Sequence, residues 1–322
     1  MNVSVSGLVR DGSGIGVLQR MLYPRLTDLG VTLDVLPTRD LGSGSLVRMR
    51  GVLTGLTSEP TGDAFLSLVS PVPARIARPM VAFVHDVRWR RTRRTIPRAY
   101  RHLDFARTMR QATHIVALSR TAASEIADLA PRYAHKIRII YCGLGQVGRA
   151  VEIAKAPGKL VLIGSGPHKR NEQALEALMA IDTSWPADVV GINLSGACRR
   201  IAARAHGARS ITFKAGLSQK EFMAELGSAE YYMSLGVDEG FGLPYVEALA
   251  LGCQVIAIDQ PLTRELIEGG AILLANGTTA EISEQLGSVE PIAAEDRLRI
   301  VHRYSWEAAA REVKSCICEA IG

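Results

Sequence analysis

Apolar positions along this 322-residue chain recur at two spacings, and the spacings alternate. Short apolar and β-branched runs stand at 2–9, 31–36, 63–70 (DAFLSLVS), 80–84 (MVAFV), 114–118 (HIVAL) and 137–141 (IRIIY), with the length and composition of buried strands. Between several of them the spacing shifts to three-or-four, which predicts helices over about 15–30, 98–111 and 120–130. The alternation resumes after GQVGRAVEIAKAPGK (145–159). Strands at 159–163, 188–192, 210–214, 230–235 and 254–258 are followed by helices at 171–181, 197–206, 219–228, 244–251 and 262–268. A last helix, 305–320, begins SWEAAA. Strands alternating with helices need crossover connections, so the sheets are parallel and covered on both faces. Two such series predict an α/β chain of two Rossmann-like domains.

Composition narrows the class. Apolar residues make up 47 % and charged residues 22 %, ordinary for a globular protein. The longest apolar runs are strand-length, short of the roughly 20 residues of a spanning helix. The opening MNVSVSGLVRDGSGIG lacks a basic n-region and a long apolar core, so no secretory signal is expected. Five cysteines (Cys142, Cys198, Cys253, Cys316, Cys318) are odd in number and form no CxxC pair, which predicts free thiols in a reducing cytoplasm.

Charge is uneven. Residues 1–150 hold 22 Lys and Arg against 10 Asp and Glu, whereas 151–322 hold 16 against 22. The first half therefore suits an anionic partner. Its densest segment, HDVRWRRTRRTIPRAYRHLDFAR, places five arginines between Arg88 and Arg94 and continues with Arg98 and Arg101. Pro97 marks the expected helix start, with 88–96 as loop. A solvated face is one reading; contact with an anionic membrane leaflet or a lipid-diphosphate acceptor is the other. Nucleic acid is not expected, because only Trp89 is interleaved in the run and no recognition motif accompanies it.

The sharpest chemical signal is VDEGFGLPYVEALALGCQVIAID (237–259), where Glu239 and Glu247 bracket a glycine turn at the mouth of a helix. In open α/β sheets ligands collect at the carboxyl ends of strands, where helix N-termini present N–H groups. The amides near Gly242 and Leu243 would face an anion, with Pro244 at the first helical position and Glu247 within the first turn. A carboxylate there suits the two vicinal hydroxyls of a ribose, and Glu239 suits a group beyond the phosphates. A sugar linked to a nucleoside diphosphate meets these demands. From spacing alone, a loop acid and a dipole-favoured helix acid remain the competing reading.

DEGFGLPYVEALALGCQVIA resembles the E-x7-E signature of retaining GT-B glycosyltransferases of glycosyltransferase family 4 (group 1), and the chain looks similar to polysaccharide-assembly mannosyltransferases. GSGIGVLQRML, VAFVHDV, IVALSRTAASEI, IRIIYCGLG, LVLIGSGPHKRNEQALEAL and YSWEAAAREV resemble further family segments in order along nearly the whole chain. The resemblance implies a GT-B fold: an N-terminal acceptor-side domain over 1–148 completed by a returning helix at 306–322, a nucleotide-sugar domain over 149–305, and a cleft between them. It implies that Glu239 contacts the transferred sugar, that Glu247 binds the donor ribose, and that the amides of Phe241, Gly242 and Leu243 line diphosphate and sugar. Lys169 matches the lysine that neutralises the donor phosphates, with Arg170 beside it. His85 matches a first-domain histidine that reaches the donor sugar, and Gly14 and Gly16 a loop approaching the diphosphate.

One position departs from the pattern. Many relatives carry Gly-Arg where this chain has Gly164-Ser165. No DxD motif occurs, so metal-independent transfer is expected, with cationic side chains and helix dipoles in place of a divalent ion. The implied reaction is retaining hexosyl transfer, mannose from GDP-mannose being favoured, to a glycan or lipid-linked saccharide in cell-surface polysaccharide assembly. No cofactor beyond the co-substrate is expected, and the location is cytoplasmic with peripheral contact at the inner membrane face. A phosphorylase or epimerase of the same fold, and a non-catalytic sugar-nucleotide-binding or scaffold subunit, are the alternatives.

Overall fold

The computed structural model describes residues 1–6, 14–36, 60–69, 72, 75–91, 95–144, 154–181, 188–204, 210–288 and 293–322. The chain divides into two compact units, Met1–Gly143 with Tyr304–Gly322, and Leu144–Arg303. The expected division after 148 falls outside the described residues.

The first unit is built on six parallel strands: β1 (Asn2–Val5), β2 (Thr32–Val35), β3 (Ala64–Ser67), β4 (Met80–Phe83), β5 (His114–Ala117) and β6 (Ile137–Ile139). Their order across the sheet is β2-β1-β3-β4-β5-β6. Strands β3, β4 and β5 are buried at every position, as near-continuous apolar runs in a doubly covered parallel sheet require. The first expected strand ends at Val5 rather than running to 9, and residues 7–9 lie outside those described. The helices are α1 (Gly14–Asp28), α2 (Thr95–Gln111) and α3 (Arg120–Leu129). Gly14 and Gly16 thus lie inside α1, not ahead of it. Helix α2 starts at Thr95, two residues before Pro97, and Arg88–Arg91 form a short 3-10 turn where loop was expected. Phe65, Met80, Met109, Ile115 and Ile126 are among the fully buried members of the core.

The second unit repeats the plan with β7 (Ala156–Ile163), β8 (Asp188–Ile192), β9 (Ser210–Lys214), β10 (Ala229–Ser234), β11 (Gln254–Ile258) and β12 (Ala271–Leu274). The order is β12-β11-β10-β7-β8-β9, all parallel, so the strand order reverses between β7 and β10. Helices α4 (Asn171–Ala180), α5 (Gly196–Ala202), α6 (Gln219–Gly227), α7 (Leu243–Ala250), α8 (Pro261–Ile267), α9 (Thr279–Ser288) and α10 (Ala294–Val301) complete it. Strand β12 and helices α9 and α10 are additions to the elements expected from the sequence.

Helix α11 (Trp306–Ile321) returns to the first unit. Ser305 caps it by accepting from the Ala308 amide, and Trp306, Ala310, Val313 and Ile317 point inward. Glu307 pairs with Arg25 of α1 at 2.9 Å, and Lys314 Nζ donates to the Leu29 carbonyl at 2.8 Å. The chain leaves the first unit through Gly143, where a Cβ would overlap the Trp306 backbone. All five cysteines are free thiols. No helix among the described residues is long and apolar enough to cross a membrane.

Candidate functional site

The carboxyl edge of the second sheet has a topological switch point between β7 and β10, where a crevice for ligands is expected. Three loops are tied together there. The loop after β7 begins at Gly164 (φ +95°) and passes through a 3-10 turn at Pro167–Lys169. Asn171, buried at the start of α4, donates from Nδ2 to the carbonyls of Ile163 (3.1 Å) and Gly164 (2.6 Å). The loop after β10 joins it through the Val237 amide, which donates to the His168 carbonyl at 2.9 Å. The third loop contributes Gln260, whose Nε2 donates to the Gly236 carbonyl at 2.9 Å.

Two side chains meet across this seam. Lys169 Nζ lies 2.6 Å from Glu239 Oε1, with side chains 16 % and 10 % exposed. The approach is off-axis, so Oε1 is ion-paired yet accepts no hydrogen bond of good geometry. The stem of Lys169 lies against Gly164, where an added Cβ would sit 3.3 Å from Lys169 Cγ and Cε. Gly164 therefore serves twice, in a backbone conformation L side chains rarely adopt and in passage for the lysine. His168, which sequence reasoning left without a role, brings Nε2 to 3.6 Å from the same Glu239 oxygen.

Backbone strain gathers on this edge. Among the described residues the non-glycine positions with positive φ are Arg170 (51°), Asn193 (55°) and Asp238 (62°), and all follow strands of the second sheet. Each costs on the order of 1–3 kcal/mol and persists where the surroundings over-determine it. Arg170 is the residue before α4, so its left-handed backbone turns the chain from the lysine into the helix.

Helix α7 opens beside Glu239. Gly242 is its N-cap at φ +74°, and a Cβ there would lie 2.6 Å from the Tyr245 ring, so the position is closed to larger residues. Leu243 is the first helical residue and Pro244 the second, one place later than expected. The amides of Gly242 and Leu243 stand ahead of the first intrahelical bonds. Phe241 is buried and anchors the turn. Glu247 is the fifth helical residue, at the start of the second turn rather than within the first, because the helix begins at Leu243. It is only 5 % exposed, and burial pushes its carboxyl up to about 7. No hydrogen bond reaches that carboxylate among the described residues.

Beneath the turn Tyr232 and Tyr245 cross edge-to-face with ring centroids 5.9 Å apart. Tyr245 Oη lies 3.1 Å from Ser234 Oγ. Burial raises both phenols, and the negative field of Glu239 adds to it at each. Ser234, Tyr245 and Gln260 support the Glu239 loop; sequence carried no signal for them beyond their closeness to the two glutamates.

His85, Gly14 and Gly16 belong to the first unit. His85 follows β4, and its Nε2 lies 2.7 Å from the Leu68 carbonyl beyond β3. A carbonyl only accepts, so Nε2 carries the proton and Nδ1 keeps a lone pair. Burial lowers the histidine below its ordinary value and favours this neutral form. Gly14 is exposed at the start of α1 and Gly16 is buried two residues further.

Two parallel α/β units, the second with a cation–carboxylate pair at its switch point and a glycine-capped helix beside it, define the GT-B class. Residues 159–304, somewhat under half of the chain, match the family model described as glycosyl transferases group 1, and the fold of the chain is of the GT-B kind. It is 27 % identical over 233 residues to the GDP-mannose:cellobiosyl-diphosphopolyprenol alpha-mannosyltransferase of Komagataeibacter xylinus, covering 67 % of this chain and 58 % of that one. The chain thus spans under two thirds of that relative's length. It is 22 % identical over 242 residues to the O-antigen chain mannosyltransferase RfbU of Salmonella typhimurium, covering 74 % of this chain and 69 % of that one. The fold is similar to Anabaena HepE solved with UDP-glucose, at TM-score 0.74 and 14 % identity, covering 99 % of this chain and all of that one.

Proposed function

We propose that the chain is a retaining hexosyltransferase that moves mannose from GDP-mannose to a glycan or lipid-linked saccharide in polysaccharide assembly. The observation that carries this reading is the contact between Lys169 and Glu239 at the switch point, beside the N-terminus of α7. Breaking the bond between the anomeric carbon and the β-phosphate oxygen builds negative charge on the diphosphate. A fixed ammonium and the amides of Gly242 and Leu243 stabilise that charge where it develops. The acceptor oxygen forms the new bond to the same face of the anomeric carbon, and its proton passes to the departing phosphate. Glu239 holds hydroxyls of the hexose, and Glu247 accepts from the ribose diol. Arg170 supplies a second cation on the same turn, taking the place left by Ser165. His85 presents its Nδ1 lone pair to a sugar hydroxyl, with Gly14 and Gly16 as the close backbone approach. No metal enters the scheme.

Mannose follows the names of the two curated relatives, and GDP and a lipid-diphosphate acceptor follow the first of them. HepE was solved in complex with UDP-glucose, so the donor base is the part to test first. Thermal unfolding of the full chain with GDP-mannose, UDP-glucose and the bare nucleotides sorts them. A donor at about 100 times its dissociation constant stabilises by roughly 2.7 kcal/mol. We expect the shift with GDP-mannose, and its loss in Lys169→Ala. A chain that none of the four ligands stabilises would refute the reading. We also propose that the basic segment Arg88–Arg101 meets an anionic lipid surface on the cytoplasmic side, where a lipid-linked acceptor is presented.

A further inference from the structure

Glu239 Oε1 has two nitrogen neighbours where an ion pair needs one, the Lys169 ammonium and the His168 imidazole. Lys169 Nζ lies 2.6 Å away and His168 Nε2 3.6 Å away, the second just beyond hydrogen-bond reach. The histidine is seated for this approach. Its ring folds over Gly166, where an added Cβ would overlap the imidazole, and its carbonyl is fixed by the Val237 amide from the loop that carries Glu239. The backbone at Arg170, in the left-handed region, turns the chain into α4 so that residues 168 and 169 both face the seam.

The proposed transfer makes conflicting demands on Lys169. The transition state draws the ammonium toward the leaving phosphate, while Glu239 must stay fixed on the hexose. A carboxylate 10 % exposed cannot be left without a donor: stripping one partner from a buried pair is strongly destabilising. We propose that His168 is the second partner of Glu239, closing on Oε1 as Lys169 turns to the diphosphate, and is thereby a positioning residue for the hexose. The movement needed is under an ångström at the imidazole, within a side-chain torsion. This rests on the donor reading above and extends it to a residue outside the expected set.

The test is a kinetic cycle on the full chain with GDP-mannose and UDP-glucose as donors, read as donor consumption with acceptor in excess. A hydrogen bond to a charged group implies that His168→Ala lowers kcat by about tenfold or more, with donor KM little changed. His168→Gln, which keeps an N–H donor of similar reach, restores most of the rate. In a Glu239→Gln background the His168→Ala change adds no further loss, because the interaction it removes is already gone. The melting temperature of each variant separates a folding defect from a positioning one. Equal losses in both backgrounds, or an unchanged kcat in His168→Ala, overturn the proposal while leaving the transferase reading intact. A wild-type chain that consumes neither donor removes both.

Discussion

Glu247 is caught between the fold and the ligand it is proposed to hold. In the fold its carboxyl is raised from 4.5 to about 7 by burial, so the native state binds the proton more tightly than the unfolded chain. Its stabilising contribution is therefore full below about pH 4.5 and is lost as pH rises through about 7. At 1.36 kcal/mol per unit the loss approaches about 3 kcal/mol. Ribose hydroxyls reward the ionised form, so donor affinity should rise over the upper part of the same window. Glu247→Gln should leave stability near wild type at pH 4.5 and raise it by about 3 kcal/mol at pH 8, measured by urea unfolding, while weakening donor binding. An equal stability difference at both pH values would show that Glu247 is not held protonated by the fold. At this scale Glu239 and Glu247 stood out in linear order as two acids bracketing a glycine turn, and Lys169 stood out only through the resemblance of its segment. His168 did not: its role depends on a contact between two loops seventy residues apart, and the adjacent Lys169 already accounted for the basic turn.

Elements were legible where their period was long. Strands 188–192, 210–214 and 254–258 coincide with β8, β9 and β11: β8 and β11 are short apolar runs, and β9 is the alternating Ser-Ile-Thr-Phe-Lys. Strand β12 was missed: four residues behind Gly269 and Gly270, three of them only partly buried, carry too little pattern to separate strand from loop. Helix α2 shows a different limit, since composition revealed its charge but not its outward face. Arg98, Arg101, His102, Leu103, Ala106 and Arg110 are exposed, and its one acid, Asp104, is buried and accepts from the Val72 amide. The outward surface is thus cationic with a narrow apolar stripe, the pattern of a helix resting on an anionic bilayer. Each arginine near such a surface contributes about 1 kcal/mol. Reversing Arg98, Arg101 and Arg110 to Glu should cut co-sedimentation with phosphatidylserine-containing vesicles about a hundredfold or more without changing the melting temperature. Unaltered partition of the triple variant would remove α2 from any membrane contact.

At the scale of the whole molecule, two series of alternating strands and helices led to two parallel sheets, and the returning helix α11 joined the first of them. What linear order could not supply was the strand order. The crossing from β9 back to β10 on the far side of β7 makes the switch point, and that crossing alone brings the loop carrying Lys169 against the loop carrying Glu239. Long-range pairing of this kind is set by the burial of the whole sheet, not by any segment of it. The excess of positive charge in residues 1–150 has a structural counterpart in α2, whereas the more acidic second half holds the two cations proposed for the donor, Lys169 and Arg170, on one turn. The central claim is that hexosyl transfer depends on that turn. It is tested most directly by mass-spectrometric assay of product from GDP-mannose and a saccharide-diphosphopolyprenol acceptor, comparing the full chain with Lys169→Ala. Loss of a preorganised group that stabilises transition-state charge typically costs about a hundredfold to a thousandfold. The account predicts glycosylated acceptor from the wild type and a loss of that size in Lys169→Ala with its melting temperature kept within a few degrees. Equal product from both proteins would contradict it.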